Sequence, residues 1–302
     1  MAEPTLVVLL GPTAVGKTEL SLRLADLLSC DIISADSRQI YKGISIGTAK
    51  PTEAELQQVT HHFIDILPLD QYYSAAQYEA DVLALLEKQF QRGPYALMVG
   101  GSMMYIDAVT KGIDKIPAVD ETVRQTLYDR LEAEGLEPLL NELRLLDPDY
   151  YKIVDQKNYK RVVHALEICY TTGSPFSSFR TNTLKERPFR IVKIGLRRER
   201  ENLFQRINQR VDQMMRDGLL GEVKRVYPYK DLNSLNTVGY KELFKVLDGE
   251  WQLPMAVERL KKNTRVYAKK QMTWYAHDDD IHWLDADKLS TNEMLHAISK
   301  FL

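Results

Sequence analysis

The chain has 302 residues, 44% of them hydrophobic and 27% charged, with a net charge of −2. This is the composition of an ordinary folded protein with room for about two domains, and it excludes a disordered, collagenous or disulfide-dense chain. Cys30 and Cys169 lack partners at metal-ligand spacing, Met1–Pro4 has no basic leader, and no apolar run approaches the roughly 18 residues of a membrane span; free thiols, cytoplasmic residence and no membrane partner are expected.

In chain order, the apolar run Thr5–Leu10 predicts a strand. It feeds Gly11-Pro12-Thr13-Ala14-Val15-Gly16-Lys17-Thr18, which fits G-x-x-x-x-G-K-[ST]. Backbone N–H groups of such a turn converge on phosphate oxygens, Lys17 adds positive charge, and the Thr18 hydroxyl is placed to hold Mg²⁺. Leu20, Leu24, Leu27 and Leu28 then recur at helical spacing, which puts the turn at a helix N-terminus, where the dipole favours an anion. Asp31–Ala35 predicts a second strand, ending in Asp36-Ser37-Arg38-Gln39. In open parallel sheets ligands bind at the carboxyl ends of strands, so Asp36 is a candidate general base, with a helix N-cap as the alternative.

Gly47-Thr48-Ala49-Lys50-Pro51 is a polar loop carrying one cation, and His61-His62, without metal-ligand partners, is expected to be loop. A helix over Ser74–Gln91 and a strand over Tyr95–Val99 follow. That strand ends in Gly100-Gly101-Ser102, where a hydrolytic phosphate-loop enzyme would place an aspartate to hold Mg²⁺. Ser102 either donates to a leaving oxygen or caps the next helix. Helical patterns over Asp120–Glu134 and Leu136–Leu146, with no strand between them, predict a helical insertion at residues 114–156. It would interrupt a core made of residues 1–113 and 157–302.

Phe189–Leu196 predicts a fourth strand, and helices are expected over Asn202–Arg216, Gly239–Leu247 and Met255–Tyr275. Strand and helix alternate as in a parallel sheet covered by helices, so the fold class is α/β. Residues 151–230 hold 18 Lys+Arg against 8 Asp+Glu, a local charge of +10, and Lys261, Arg265 and Lys269 recur on one helical face. Each stretch is either a solvated face or a polyanion-binding one; beside a phosphate loop, the pair favours nucleic acid.

Six segments in order resemble one family, the bacterial type of tRNA dimethylallyltransferase, also called isopentenyl transferase. They are the phosphate loop; Asp36-Ser37-Arg38-Gln39-Ile40-Tyr41; Gly47–Pro51; Gly100-Gly101-Ser102 with Tyr105; Asn236-Thr237-Val238-Gly239-Tyr240-Lys241-Glu242; and Ala268-Lys269-Lys270-Gln271-Met272-Thr273-Trp274. The resemblance implies a phosphate-loop-type core with a tRNA-clamping insertion, acting as a monomer. It would be a Mg²⁺-dependent transfer of a dimethylallyl group from its diphosphate to N6 of the adenine beside the tRNA anticodon. Gly11–Thr18 would hold the diphosphate, Lys17 and Thr18 with Mg²⁺ would neutralise it, and Asp36 would accept the N6 proton. Ser102, where the family has threonine, would meet the bridging oxygen. Asp36, Ser37, Arg38, Gln39 and Ser102 would grip the flipped adenine, and Arg124, Lys160, Arg161 and His164 would touch tRNA; the family has arginine at the position of His164. Rival readings are a nucleotide kinase, a prenyltransferase of free adenine nucleotides, and an RNA-binding module that uses the loop as a switch.

Overall fold

A computed structural model describes residues 3–181 and 183–302. The chain divides into two compact units, one made of residues 1–110 and 186–302, the other of residues 111–185. In the first unit, β1 (Thr5–Leu10) leads through the phosphate loop into α1 (Lys17–Leu28). There follow β2 (Ile32–Ala35), α2 (Glu53–Gln58), β3 (His61–His62), α3 (Ala75–Phe90), β4 (Tyr95–Gly100) and α4 (Met103–Thr110). The second unit holds α5 (Glu121–Glu134), α6 (Leu136–Leu146), α7 (Pro148–Ile153) and α8 (Tyr159–Thr172). The first unit then resumes with β5 (Arg190–Arg197), α9 (Arg200–Arg216), α10 (Leu219–Val226), α11 (Tyr240–Leu247), α12 (Leu253–Tyr275), β6 (Ile281–Asp285) and α13 (Thr291–Ser299).

Among the described residues six strands form one sheet in the order β3-β2-β4-β1-β5-β6, and each pairing between them is parallel. This is the expected α/β core. β1 is apolar at nearly every position because both of its faces are covered. Leu6, Val8 and Leu10 point into a core shared with α3, α4, α10, α11 and α12, while Val7 and Leu9 point into one shared with α1, α9 and α13. His61-His62, expected as loop, is instead the short edge strand β3, and His62 Nε2 lies 2.9 Å from an Asp31 carboxylate oxygen.

The second unit is wider than the 114–156 span expected from the sequence. Leu127 of α5 and Leu139 and Leu143 of α6 are buried against Val162, Val163 and Leu166 of α8, so without α8 the apolar faces of α5 and α6 would lose their main partner. Beyond α8, the Lys185 N–H donates to the Lys111 carbonyl at 2.8 Å and closes the unit. Asp147, fully buried, caps α7 through the Tyr150 N–H and also accepts from the Ser177 N–H and hydroxyl.

Where the first unit resumes, Arg187 donates to the Ala108 and Val109 carbonyls at the end of α4 and to Glu79 at 2.7 Å. It thereby satisfies backbone groups that a helix terminus leaves unpaired. Leu9, the penultimate residue of β1, has no exposed surface. Leu9→Ala is expected to destabilise the core by about 2–5 kcal/mol, read as a lower urea midpoint at unchanged m-value.

Candidate active site

The parallel register sets Leu10 of β1 opposite Gly100 of β4, and Gly100 opposite Ala35 of β2. The residues that follow each strand, Gly11, Gly101 and Asp36, therefore leave the sheet at the same edge. Beyond Gly11 the loop turns into α1 at Gly16, whose φ of +114° is costly for any residue with a side chain. Its outer side is held by α9 and the segment before it: Arg198 Nε donates to the Val15 carbonyl at 2.8 Å and Arg206 Nε to the Ala14 carbonyl at 2.9 Å. Lys17 Nζ donates to the Gly11 and Pro12 carbonyls at 2.8 and 2.9 Å. Desolvation, with repulsion from Arg210 and against the pull of Asp36, brings the Lys17 ammonium down to about 7.

Asp36 closes a turn: its Oδ1 accepts from the Arg38 N–H at 2.8 Å and the Gln39 N–H at 3.3 Å. The helix-cap alternative is thus replaced by an Asx-type turn at the strand end. Gln39 is fixed from three sides, donating to the Thr48 and Ala49 carbonyls and accepting from the Ser34 hydroxyl. Ser102 does not cap α4 through its side chain; its Oγ accepts from the Ser37 N–H at 2.9 Å and donates to the Ser37 Oγ at 3.3 Å. Burial and the Asp36 charge push the Tyr267 phenol up to about 12, against opposing effects of Arg38 and Ser102. Arg38 donates to the Asn233 and Ser234 carbonyls, which ties it to the segment before α11.

The loop at 45–51 is anchored by a residue that sequence reading did not single out. Glu222 of α10, 2% exposed, accepts from the Ser45, Ile46 and Gly47 N–H groups and from the Tyr240 hydroxyl at 2.6 Å. Lys50 donates to the Tyr41 carbonyl and pairs with Asp65.

Two cavities open at this edge. The larger, about 1160 Å³, runs along the phosphate loop and is lined by Lys17, Thr18, Arg198, Arg206, Arg210 and Arg216. The smaller, about 560 Å³, has walls formed by Tyr41, Tyr73, Tyr105, Val211, Met214 and Leu260. Thr13, Asp36, Arg210 and Tyr267 border both. A cationic trough thus shares a boundary, which carries the candidate base, with a chamber whose aromatic and aliphatic walls are interspersed with polar groups such as Ser37, Arg38 and Asn233. The α9 arginines escaped sequence reading because they were merged into the broad +10 window; their spacing of four from Arg206 to Arg210 was the available signal.

The basic face of α12 packs on α9. Lys261 pairs with Asp212 at 2.8 Å, Arg265 donates to Asn208, and Arg265 and Lys269 lie over the Phe204 ring. In the second unit, Arg124 and His164 converge on the buried Glu167 carboxylate, with Arg124 Nε at 2.8 Å and His164 Nδ1 at 3.2 Å. Lys160 and Arg161, in the first turn of α8, are exposed. Among the described residues no cluster of three or more His, Cys, Asp or Glu side chains could hold a metal, and no helix is long and apolar enough to cross a membrane.

Residues 39–278 match the family profile described as IPP transferase. The chain belongs to this family. It is 61% identical to tRNA dimethylallyltransferase 1 of Phocaeicola vulgatus over 98% of its own length and 99% of the relative's. It is 59% identical to tRNA dimethylallyltransferase 1 of Bacteroides thetaiotaomicron, covering 94% and 92% of the two chains. Among solved structures, a tRNA isopentenylpyrophosphate transferase from Bacillus halodurans superposes with a TM-score of 0.72 at 37% identity, covering 99% of this chain and 95% of that one. A eukaryotic dimethylallyltransferase described as acting on tRNA gives 0.80 at 30% identity, covering 97% and 77%.

The lowered Lys17 ammonium is only partly charged above neutrality, and an anion in the loop would restore its charge. Between the free and bound pKa values the complex holds more protons, so affinity for inorganic diphosphate should weaken as pH rises above about 7. Calorimetry at pH 8 in buffers of different protonation enthalpy should show about one more proton taken up by the wild type than by Lys17→Arg, whose guanidinium stays charged.

Proposed function

We propose that this protein transfers the dimethylallyl group of dimethylallyl diphosphate to N6 of the adenine adjacent to the anticodon in tRNA and releases diphosphate. The observation that carries this reading is the shared boundary of the two cavities, where Asp36 lines both a cationic trough and a chamber with aromatic and aliphatic walls and a polar rim. The trough suits a diphosphate and the chamber suits a prenyl group and a purine. Names of relatives at 61% and 59% identity support the same activity.

In this reading N6 attacks C1 of the donor, the C1–O bond breaks, its electron pair leaves on diphosphate, and the N6 proton passes to the Asp36 carboxylate. Asp36 is already oriented by two backbone N–H groups on one oxygen, which leaves Oδ2 for the amine. Lys17, Arg206 and Arg210 stabilise the charge that grows on the leaving group. Ser102, fixed by the Ser37 N–H and hydroxyl, would meet the bridging oxygen of the leaving group. Ser37, Arg38 and Gln39 form the side of the pocket that receives the base, and Arg124, Lys160, Arg161 and His164 belong to the unit that handles the rest of the tRNA.

With no acidic cluster among the described residues, a metal would be held by Thr18 and the diphosphate itself, a set of hard oxygens that suits Mg²⁺. Bound there, Mg²⁺ would neutralise diphosphate charge. Such a reaction places the protein with its substrate in the cytoplasm.

Incubating the protein with Mg²⁺, dimethylallyl diphosphate and unmodified tRNA, followed by nucleoside mass spectrometry, should yield an adenosine heavier by one dimethylallyl group. Phosphate transfer from ATP without that product would point to a kinase. Asp36→Ala is expected to lower kcat by about 10²–10⁴-fold while tRNA affinity, read by filter binding, stays within a few-fold. Equal turnover by the variant would defeat the general-base role.

A further inference from the structure

α12 places one buried amide between two elements of the site. Gln271, 2% exposed, accepts from the Thr13 N–H at 3.0 Å through Oε1 and donates to the Gly101 carbonyl at 2.8 Å through Nε2. One partner is a donor and the other an acceptor, so a single orientation of the amide satisfies both. Gly101 permits the approach because it has no side chain; a Cβ there would stand 2.3 Å from Nε2. Thr13 sits in the phosphate loop, 258 residues away in sequence, and Gly101 immediately precedes Ser102, whose Oγ holds the Ser37 N–H. Gln271 therefore ties the phosphate loop directly to the turn that carries Ser102 beside Asp36.

We infer that Gln271 is a positioning residue for the transfer, one that fixes the distance between the diphosphate cradle and the Ser37–Ser102 side of the chamber. The inference rests on the proposed function. In the displacement, the N6–C1 bond forms as the C1–O bond breaks, so donor and acceptor must be aligned across this boundary. A misplacement of about 1 Å can lower such a rate by about 10²-fold. Without the Gln271 amide the cradle keeps Lys17, Arg206 and Arg210, so donor affinity is retained while the two halves of the site lose their common reference.

The test uses Gln271→Met and Gln271→Glu in the full chain, with single-turnover transfer to tRNA at saturating substrates between pH 6 and 9 and donor affinity measured by equilibrium binding. Gln271→Met should lower the rate by about 10–100-fold at every pH, with the donor Kd within about threefold of wild type. The glutamic acid of Gln271→Glu, when protonated, reproduces both hydrogen bonds; when ionised it sets a negative charge against the Gly101 carbonyl. Burial and the Asp36 charge raise such a carboxyl, against the pull of Lys17 and Arg210 in the same cavity, so the Gln271→Glu deficit relative to wild type should shrink by about tenfold as pH falls from 9 to 6. A merely structural role would not produce that profile, and Gln271→Glu keeps the test decisive where Gln271→Met fails to fold.

A Gln271→Met rate within twofold of wild type, a loss confined to donor Kd, or a pH-independent Gln271→Glu deficit would each overturn the positioning role while leaving an active wild type untouched. A wild type that makes no dimethylallylated adenosine would overturn the proposed function and the inference together.

Discussion

The geometry of the site depends on one row of the sheet, Leu10–Gly100–Ala35, held by parallel pairing of β1, β4 and β2. Neighbouring strands lie about 4.8 Å apart, so the start of the phosphate loop and Asp36 are separated by about 10 Å, with the Gly101-Ser102 turn between them. Both cavities open across that spacing and reach Asp36. A register slip of one residue would turn β1 inside out, and both of its faces are buried, so packing of Leu6, Val8 and Leu10 against one core and Val7 and Leu9 against the other fixes the chemistry of the edge.

Around that row, buried polar side chains convert loops into fixed surfaces. Glu222 gathers three consecutive N–H groups of the 45–47 segment and the Tyr240 hydroxyl, which joins two of the six recognised segments through a residue belonging to neither. Gln39 then transmits the position of that loop to the Asp36 turn. Each of these groups is expensive to bury unless paired, so the network tolerates little loosening and holds the cavity walls in one arrangement.

What was legible in the sequence was local. The phosphate loop follows an uninterrupted apolar strand and opens a helix with leucines in register, so strand, loop and helix could be read without tertiary knowledge. β6 escaped because Ile281-His282-Trp283-Leu284 offers only weak alternation, and β3 because two residues carry no period at all. The arginines against the loop come from α9 and the segment before it, nearly two hundred residues downstream, and the spacing of Arg206 and Arg210 marks a basic helix face without saying which carbonyl a guanidinium reaches. Charge density was readable and its destination was not. The α12 cations that suggested a polyanion surface meet Asp212, Asn208 and Phe204, and two of the residues matched to RNA contacts, Arg124 and His164, share the Glu167 carboxylate.

The closure of the second unit by a hydrogen bond between Lys185 and Lys111 has a consequence for how such a protein can change over time. Its chain enters and leaves at adjacent points, and it buries its own apolar side chains in its own core. A segment with those properties behaves as a cassette. It can lengthen, shorten or be exchanged at a cost set mainly by closing a short connection, and loop closure entropy grows only slowly with length. The sheet and its edge can then stay constant while the second unit diverges.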